Sequence, residues 1–191
     1  MNGPTLMTGR PGLILDRDGV VNVDTNYLYR IEDCRFMPGI FEVIQYFGDR
    51  GFAIAIATNQ SGIGRGKYTE DDFHKLMGWM DRTCRRQTGY GFDAVYFCPH
   101  LPEAEIEAYR KVCDCRKPAP GMAMRAVAEL GLDPARSWVV GDKMRDLDAG
   151  KGAGIANRVL LDIEADEPRR EDDHWVISCL AELIPLSRVK A

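Results

Sequence analysis

Short apolar runs, each followed by a loop and a helix-like stretch, recur along this chain and leave few folds open to it. Gly12–Leu15, Phe52–Ala57, Ala94–Cys98, Trp138–Val140 and Arg158–Leu161 have the length and apolar character of buried strands. Between them, 41–49, 69 to about 86 and 122–130 read as helices. The first carries Phe41, Ile44, Gln45 and Gly48 in mixed periodicity and stops at Arg50-Gly51. The second opens on Thr69 with Asp72 three residues on, a variant of the capping box. Its expected core face is Phe73, Leu76, Met77, Met80 and Cys84. Gly131 stops the third. Strands alternating with helices predict an α/β fold, a doubly wound, mainly parallel sheet covered on both faces. No repeat, low-complexity tract or linker divides the 191 residues, so 1–191 is expected as a single domain. The charged segment 162–173 is expected as a surface excursion, and Cys179–Ile184 as a short terminal helix.

A net charge of −4 gives no global attraction for nucleic acid or an anionic membrane. No run approaches the roughly 20 apolar residues of a membrane span. Residues 1–10 lack the apolar centre of a signal peptide. The expectation is a cytoplasmic monomer with no nucleic-acid or membrane partner. That compartment keeps thiols reduced, so the six cysteines are expected as metal ligands, catalytic groups or core residues. Cys34, Cys84 and Cys179 suit the core, and His74 and His174 suit the surface.

Open parallel sheets bind ligands beyond the carboxyl ends of their strands, which makes the strand-end residues informative. The first strand ends in Asp16-Arg17-Asp18-Gly19, the second in Thr58-Asn59-Gln60-Ser61-Gly62, and the fourth in Gly141-Asp142-Lys143 with Asp146 beyond. Arg116-Lys117-Pro118 precedes the helix leading into that fourth strand. Carboxylates two residues apart repel each other and need a cation or hydrogen-bond donors if they are buried. A second group, Cys98, His100, Cys113 and Cys115, forms C-x-H…C-x-C. Two thiolate-rich pairs around one loop (about 98–115) suit a closed, structural zinc site. Cys115 runs directly into Arg116-Lys117, so zinc would steady the loop that delivers those cations.

Asp16-x-Asp18, Thr58, Lys117 and Asp142–Asp146, in that order, resemble the haloacid-dehalogenase-like (HAD-like) phosphatases over essentially the whole chain. The resemblance implies a HAD-like Rossmannoid fold and an aspartyl-phosphate formed on Asp16. It also implies magnesium held by Asp16, the Asp18 backbone carbonyl and Asp142. Asp18 would protonate the leaving alkoxide and later take a proton from water. Thr58 would hold phosphoryl oxygens, and Lys117 would neutralise charge in the transition state. Asp146 would reach the metal through water, or fix a loop or Lys117.

The segments 18–58 and 61–117 leave no room for a cap domain, so short loops must choose the substrate. Arg65 and Lys67 in the glycine-rich loop add to a cationic, polar mix that suits a phosphorylated sugar. In detail, Asp16–Gly19, Thr58–Gly62, Cys115–Pro118 and Gly141–Lys143 look like a branch of the family that acts on heptose bisphosphate. That likeness implies removal of the 7-phosphate of D-glycero-D-manno-heptose 1,7-bisphosphate during nucleotide-activated heptose synthesis. It places substrate contacts at Asp24, Thr25, Asn26, Tyr27, Thr58, Asn59, Gln60, Ser61, Arg116 and Lys143, with Arg116 at the sugar bisphosphate's distal phosphate. Three alternatives stay open. Histidinol-phosphate phosphatases share the fold and a similar zinc loop, although Arg116 and Lys143 would be poor company for a cationic amine. A zinc-organised binding module would have lost a catalytic position. A nucleic-acid 3′-phosphatase would carry a basic tract.

Overall fold

The computed structural model describes residues 9–188. The chain forms β1 (Gly12–Leu15), α1 (Ile40–Gly48), β2 (Ala53–Asn59), a one-turn helix α2 (Ser61–Gly64), α3 (Glu70–Thr88) and β3 (Ala94–Cys98). It continues through α4 (Gly121–Glu129), β4 (Trp138–Gly141), α5 (Met144–Gly152), β5 (Asn157–Leu161), β6 (Arg169–Glu171), β7 (His174–Ile177) and α6 (Leu183–Arg188). One sheet holds all seven strands in the order β3-β2-β1-β4-β5-β7-β6. Every pairing is parallel except β6 with β7.

The two faces of the sheet follow from the period of two along each strand. Leu13 and Leu15 of β1, with Ile54 and Ile56 of β2, face the core under α1 and α3. Ile14, Ala53, Ala55 and Ala57 point the other way, toward Met122, Ala123 and Ala126 of α4. The small alanines on that second face let α4 lie close. The expected face of α3 is buried in full, and its box is closed on Thr69 and Asp72. In α1 the buried face is Ile40, Val43, Ile44 and Phe47, so the helix begins one residue earlier and is turned relative to the expected set.

Four elements were not anticipated: α2, α5, β6 and β7. α5 has two aspartates and two glycines in nine residues, a poor helix-forming set. Packing accounts for it: Leu147 is buried, and a Cβ on Gly150 would lie 2.4 Å from Val139 Cγ1, so only glycine allows this approach to the sheet. Part of the charged excursion is also structured. β6 is exposed along its length and forms the antiparallel edge, while β7 is mostly buried. His174 is buried rather than on the surface, because it opens β7 with its ring between Asp173 and Glu171. Cys179 is exposed rather than in the core, since it lies between β7 and the turn that enters α6.

Successive connections run outward from β1 through β2 to β3, then return across it to β4. The order reverses between β1 and β4, and this switch point opens a crevice at the strand ends. Asp16, Thr58 and Asp142 lie there. Among the described residues no helix is long and apolar enough to cross a membrane.

Candidate active site

Asp16 leaves β1 while its backbone N–H is still bonded to the Val140 carbonyl of β4 (2.9 Å). Its carboxylate is therefore carried by the two central strands and is only 6% exposed. Oδ1 accepts from the Arg17 backbone N–H (2.8 Å) and lies 2.9 Å from Lys117 Nζ. Lys117 is also buried. Its ammonium sits 2.7 Å from Asp146 Oδ1 and donates to the Ala57 carbonyl at 2.7 Å. Burial draws the ammonium pKa down, but Asp16 and Asp146 outweigh that and hold it above the ordinary lysine value. Asp16 is pushed up by burial, against the pull of Lys117 and with Asp146 adding to the push.

Lys117 reaches this position through Asn59. The Asn59 side chain accepts from the Lys117 N–H (3.0 Å) and donates to the Lys117 carbonyl (3.1 Å), docking the loop on the end of β2. Asn59, expected as a substrate contact, thus acts on the backbone beside the site as well as lining it. Asp146 also accepts from the Lys143 N–H (3.1 Å), which ties the start of α5 to the same cluster.

Asp18 faces another way. It accepts a forked pair of bonds from the fully buried Arg17 (Nε 3.1 Å; Nη2 2.8 Å) and further bonds from Asn22 (3.0 Å) and Gln60 (3.0 Å). The Arg17 guanidinium lies over the Phe73 ring and donates to the Leu28 carbonyl (3.1 Å). Gln60 joins Asp18 to the Thr58 hydroxyl (2.8 Å) and accepts from Tyr68.

A cavity of about 190 Å³ opens above these groups. Asp16, Asp18, Thr58 and Asp142 form its chemical floor, and Asn59, Gln60 and Ser61 one side. Asp24, Asn26 and Tyr27 form another wall. Asn26 and Tyr27 both hold left-handed backbone (φ 58° and 57°), which Asn tolerates and Tyr does not readily adopt, in a turn fastened by the Asn26 N–H bond to Asp24. Thr25 lines an adjoining surface cleft instead. Arg116 is not on the cavity wall; it donates to the His100 carbonyl (3.2 Å). Lys143 pairs with Asp142 (3.1 Å) and lines a neighbouring groove. Three lining residues were not nominated as contacts from sequence: Gly62, Tyr68 and Arg145. Arg145 belongs to the unanticipated α5, and Tyr68 directly precedes Thr69, the cap of α3.

Carboxylate oxygens of Asp16, Asp142 and Asp146 all lie within 4.8 Å of one another. An all-oxygen, anionic set of this kind suits a hard divalent cation. Burial raises Asp142, against Lys143 and with help from Asp16, so a cation here would relieve like-charge repulsion. The Asp18 carboxylate is outside this set, and the group contains Asp146 in its place. Cys98, His100, Cys113 and Cys115 likewise converge, with donor separations from 3.1 Å to 3.6 Å. A tetrahedron with zinc–sulfur bonds of about 2.3 Å has edges of about 3.8 Å, so the donors need move little to hold zinc. Burial pushes the Cys98 thiol up, and all six cysteines are free.

Known proteins are similar to this chain along nearly its whole length. A D-glycero-beta-D-manno-heptose-1,7-bisphosphate 7-phosphatase of Haemophilus ducreyi is 39% identical over 93% of this chain and 98% of its own length. The enzyme of that name from Escherichia coli K12 is 41% identical over 91% of each chain. The chain belongs to this family of phosphatases. Residues 114–182 also match the HAD-hydrolase-like family model. The fold agrees with this family. A crystal structure of the D,D-heptose 1,7-bisphosphate phosphatase of B. bronchiseptica, complexed with magnesium and phosphate, superposes with a TM-score of 0.78 at 30% identity. It covers 94% of this chain and 99% of that one. A HAD-like phosphatase from Mesorhizobium loti superposes at 0.84 with 31% identity, over 99% and 91%. The chain is thus a phosphoric monoester hydrolase of the uncapped HAD-like type.

Proposed function

We propose that this enzyme removes the 7-phosphate of D-glycero-β-D-manno-heptose 1,7-bisphosphate, on the route to nucleotide-activated heptose. One observation carries the reading. The buried Asp16–Lys117–Asp146 cluster stands beside Asp142 at the β1/β4 switch point, in a chain matching phosphatases of that name along nearly its whole length. Asp16 Oδ1 is held by two N–H donors, which leaves Oδ2 to attack phosphorus. The bond from phosphorus to the sugar oxygen breaks, and Asp18 supplies the proton to that oxygen. Water then attacks the aspartyl-phosphate, Asp18 takes its proton, and inorganic phosphate leaves with Asp16 restored. Asp18 as seen here accepts bonds from Arg17, Asn22 and Gln60, the form needed to receive a proton from water. Its acid role requires a proton and release from at least one of these donors. Thr58 steadies the phosphoryl oxygens, and Lys117 stabilises the charge that develops on them.

Asp16 and Asp142 would hold magnesium, with the Asp18 carbonyl as the further ligand that the family resemblance implies; when bound, it would offset repulsion between the carboxylate and the phosphate dianion. Asp146 is assigned to hold Lys117. Zinc fits the four Cys and His donors, and a reducing cytoplasm keeps their thiols available. Every group named comes from one chain, which suits a monomer acting on a small phosphorylated sugar.

The test is a panel of phosphorylated metabolites with magnesium, including both heptose bisphosphate anomers and histidinol phosphate. The β bisphosphate should give the highest kcat/KM; a clear preference for histidinol phosphate rejects the substrate. Asp16→Asn should abolish magnesium-dependent phosphate release while the protein unfolds at its usual denaturant concentration. Normal turnover by that variant rejects the nucleophile.

A further inference from the structure

A second cavity, of about 930 Å³, opens at the other end of the sheet. Phe52 leads into β2 and Trp138 begins β4, and both line it, so it lies at the amino ends of strands whose far ends lead to Thr58 and Asp142. It is larger than the active-site cavity and falls in the range of roughly 300–1,000 Å³ usual for small organic ligands. The rings of Tyr46, Phe52 and Trp138 give it an apolar wall. The phosphatase reaction uses none of these groups.

The charge around that wall is one-sided, in a chain whose net charge is −4. Arg50, Arg136 and Arg188 line the cavity, and among the described residues no carboxylate does. Arg50 and Arg188 share one ring: their guanidinium carbons lie 3.5 Å and 5.6 Å from the Tyr46 centroid. Part of this serves the helices. α1 and α6 end here, helix C-termini favour cations, and Arg50 donates to the Tyr46 carbonyl (3.0 Å). Arg136 has no such duty. It lies in the turn before β4, and its exposed side chain makes no hydrogen bond or ion pair with another described residue. Guanidiniums gathered without a counter-charge repel one another, and an anion in the cavity would relieve that.

We propose that this cavity binds a nucleoside phosphate, with the base against the aromatic wall and the phosphates on the three arginines. Guanidinium groups take phosphate oxygens through paired N–H bonds, and aromatic side chains stack on bases. A ring-free phosphate would leave the apolar wall in water, and an uncharged ring would leave the arginines without a counter-charge. The site lies apart from the reacting groups, so the inference does not depend on which phosphate ester the enzyme cleaves.

The experiment titrates the full chain with ADP, adenosine and pyrophosphate by calorimetry in magnesium-free buffer, comparing wild type, Arg136→Glu and Arg136→Lys. Arg136 is the residue to change because its side chain has no partner among the described residues whose loss would disturb the fold. About one ADP per chain should bind, with Kd on the order of 10–100 μM, and more tightly than either fragment. Arg136→Glu should weaken ADP at least about tenfold, and Arg136→Lys should keep part of the affinity. With magnesium restored, turnover of p-nitrophenyl phosphate by both variants should stay within about twofold of wild type, because the change lies at the far end of the sheet. No binding of ADP overturns the site. Binding that Arg136→Glu leaves unchanged puts the ligand elsewhere and overturns it too. Pyrophosphate that binds as tightly as ADP overturns the nucleoside assignment, since the aromatic wall then contributes nothing.

Discussion

Replacing Lys117 by methionine tests whether the centre of the site is an electrostatic unit. The ammonium lies 2.9 Å from Asp16 and 2.7 Å from Asp146, and its side chain is 4% exposed. Methionine fills similar space but leaves two buried carboxylates facing each other without a cation. Removing one partner of a buried ion pair costs about 3–5 kcal/mol. That is a large share of the roughly 5–15 kcal/mol that holds a typical domain folded. With a urea slope of about 2 kcal/mol per molar, the unfolding midpoint should fall by about 1.5–2.5 M. The assay is urea unfolding followed by tryptophan fluorescence, in buffer without magnesium.

The loss should depend on pH. Burial raises Asp16 and Lys117 restrains that rise, so the variant's Asp16 climbs further. A carboxyl with a folded pKa above its unfolded value binds a proton on folding, and the stability it leaves falls as pH rises. The Lys117 contribution is complete below the ordinary lysine range, and so is constant at neutral and acid pH. The deficit should therefore be widest near pH 7.5 and smaller near pH 5. Adding Asp146→Asn to the variant should restore part of the midpoint, because one of the two facing charges is gone. An unchanged midpoint, or a deficit equal at both pH values, refutes the reasoning.

Other predictions concern what surrounds that unit. Elemental analysis of the native protein should find about one zinc per chain, and Cys113→Ser should lose it, melt earlier and turn over more slowly. Absence of zinc from the native protein removes the staple, and full activity in a zinc-free Cys113→Ser protein removes its coupling to Lys117. At Gly19, φ is +85° and an added Cβ would lie 2.6 Å from Asp142 Oδ2. Gly19→Ala should therefore raise the magnesium concentration for half-maximal rate about tenfold or more, read by titrating the rate with magnesium; an unchanged requirement shows that Asp142 is not displaced.

Residue type and period carried much of this protein in the sequence itself. Buried parallel strands must be short apolar runs, so β1 to β5 were visible, and Thr69 with Asp72 marked the start of α3. Residues at strand ends had to converge, because parallel strands bring their carboxyl ends to one edge. The Cys and His spacing announced its cluster for a similar reason: both pairs flank one loop. α5 stayed hidden because its helix is made by packing, with Leu147 buried and Gly150 against Val139. β7 stayed hidden among charges that pair with one another only after the chain folds. Which charges are free could not be read from the chain at all. Arg116, Lys143 and Arg145 are equal cations in a sequence, and the fold sets the first beside the His100 carbonyl, pairs the second with Asp142 and puts the third on the cavity wall. The sequence determined the chemistry by supplying the groups in order. The tertiary structure decided their partners, since a partner is a matter of a few ångströms across chain segments that the sequence keeps far apart.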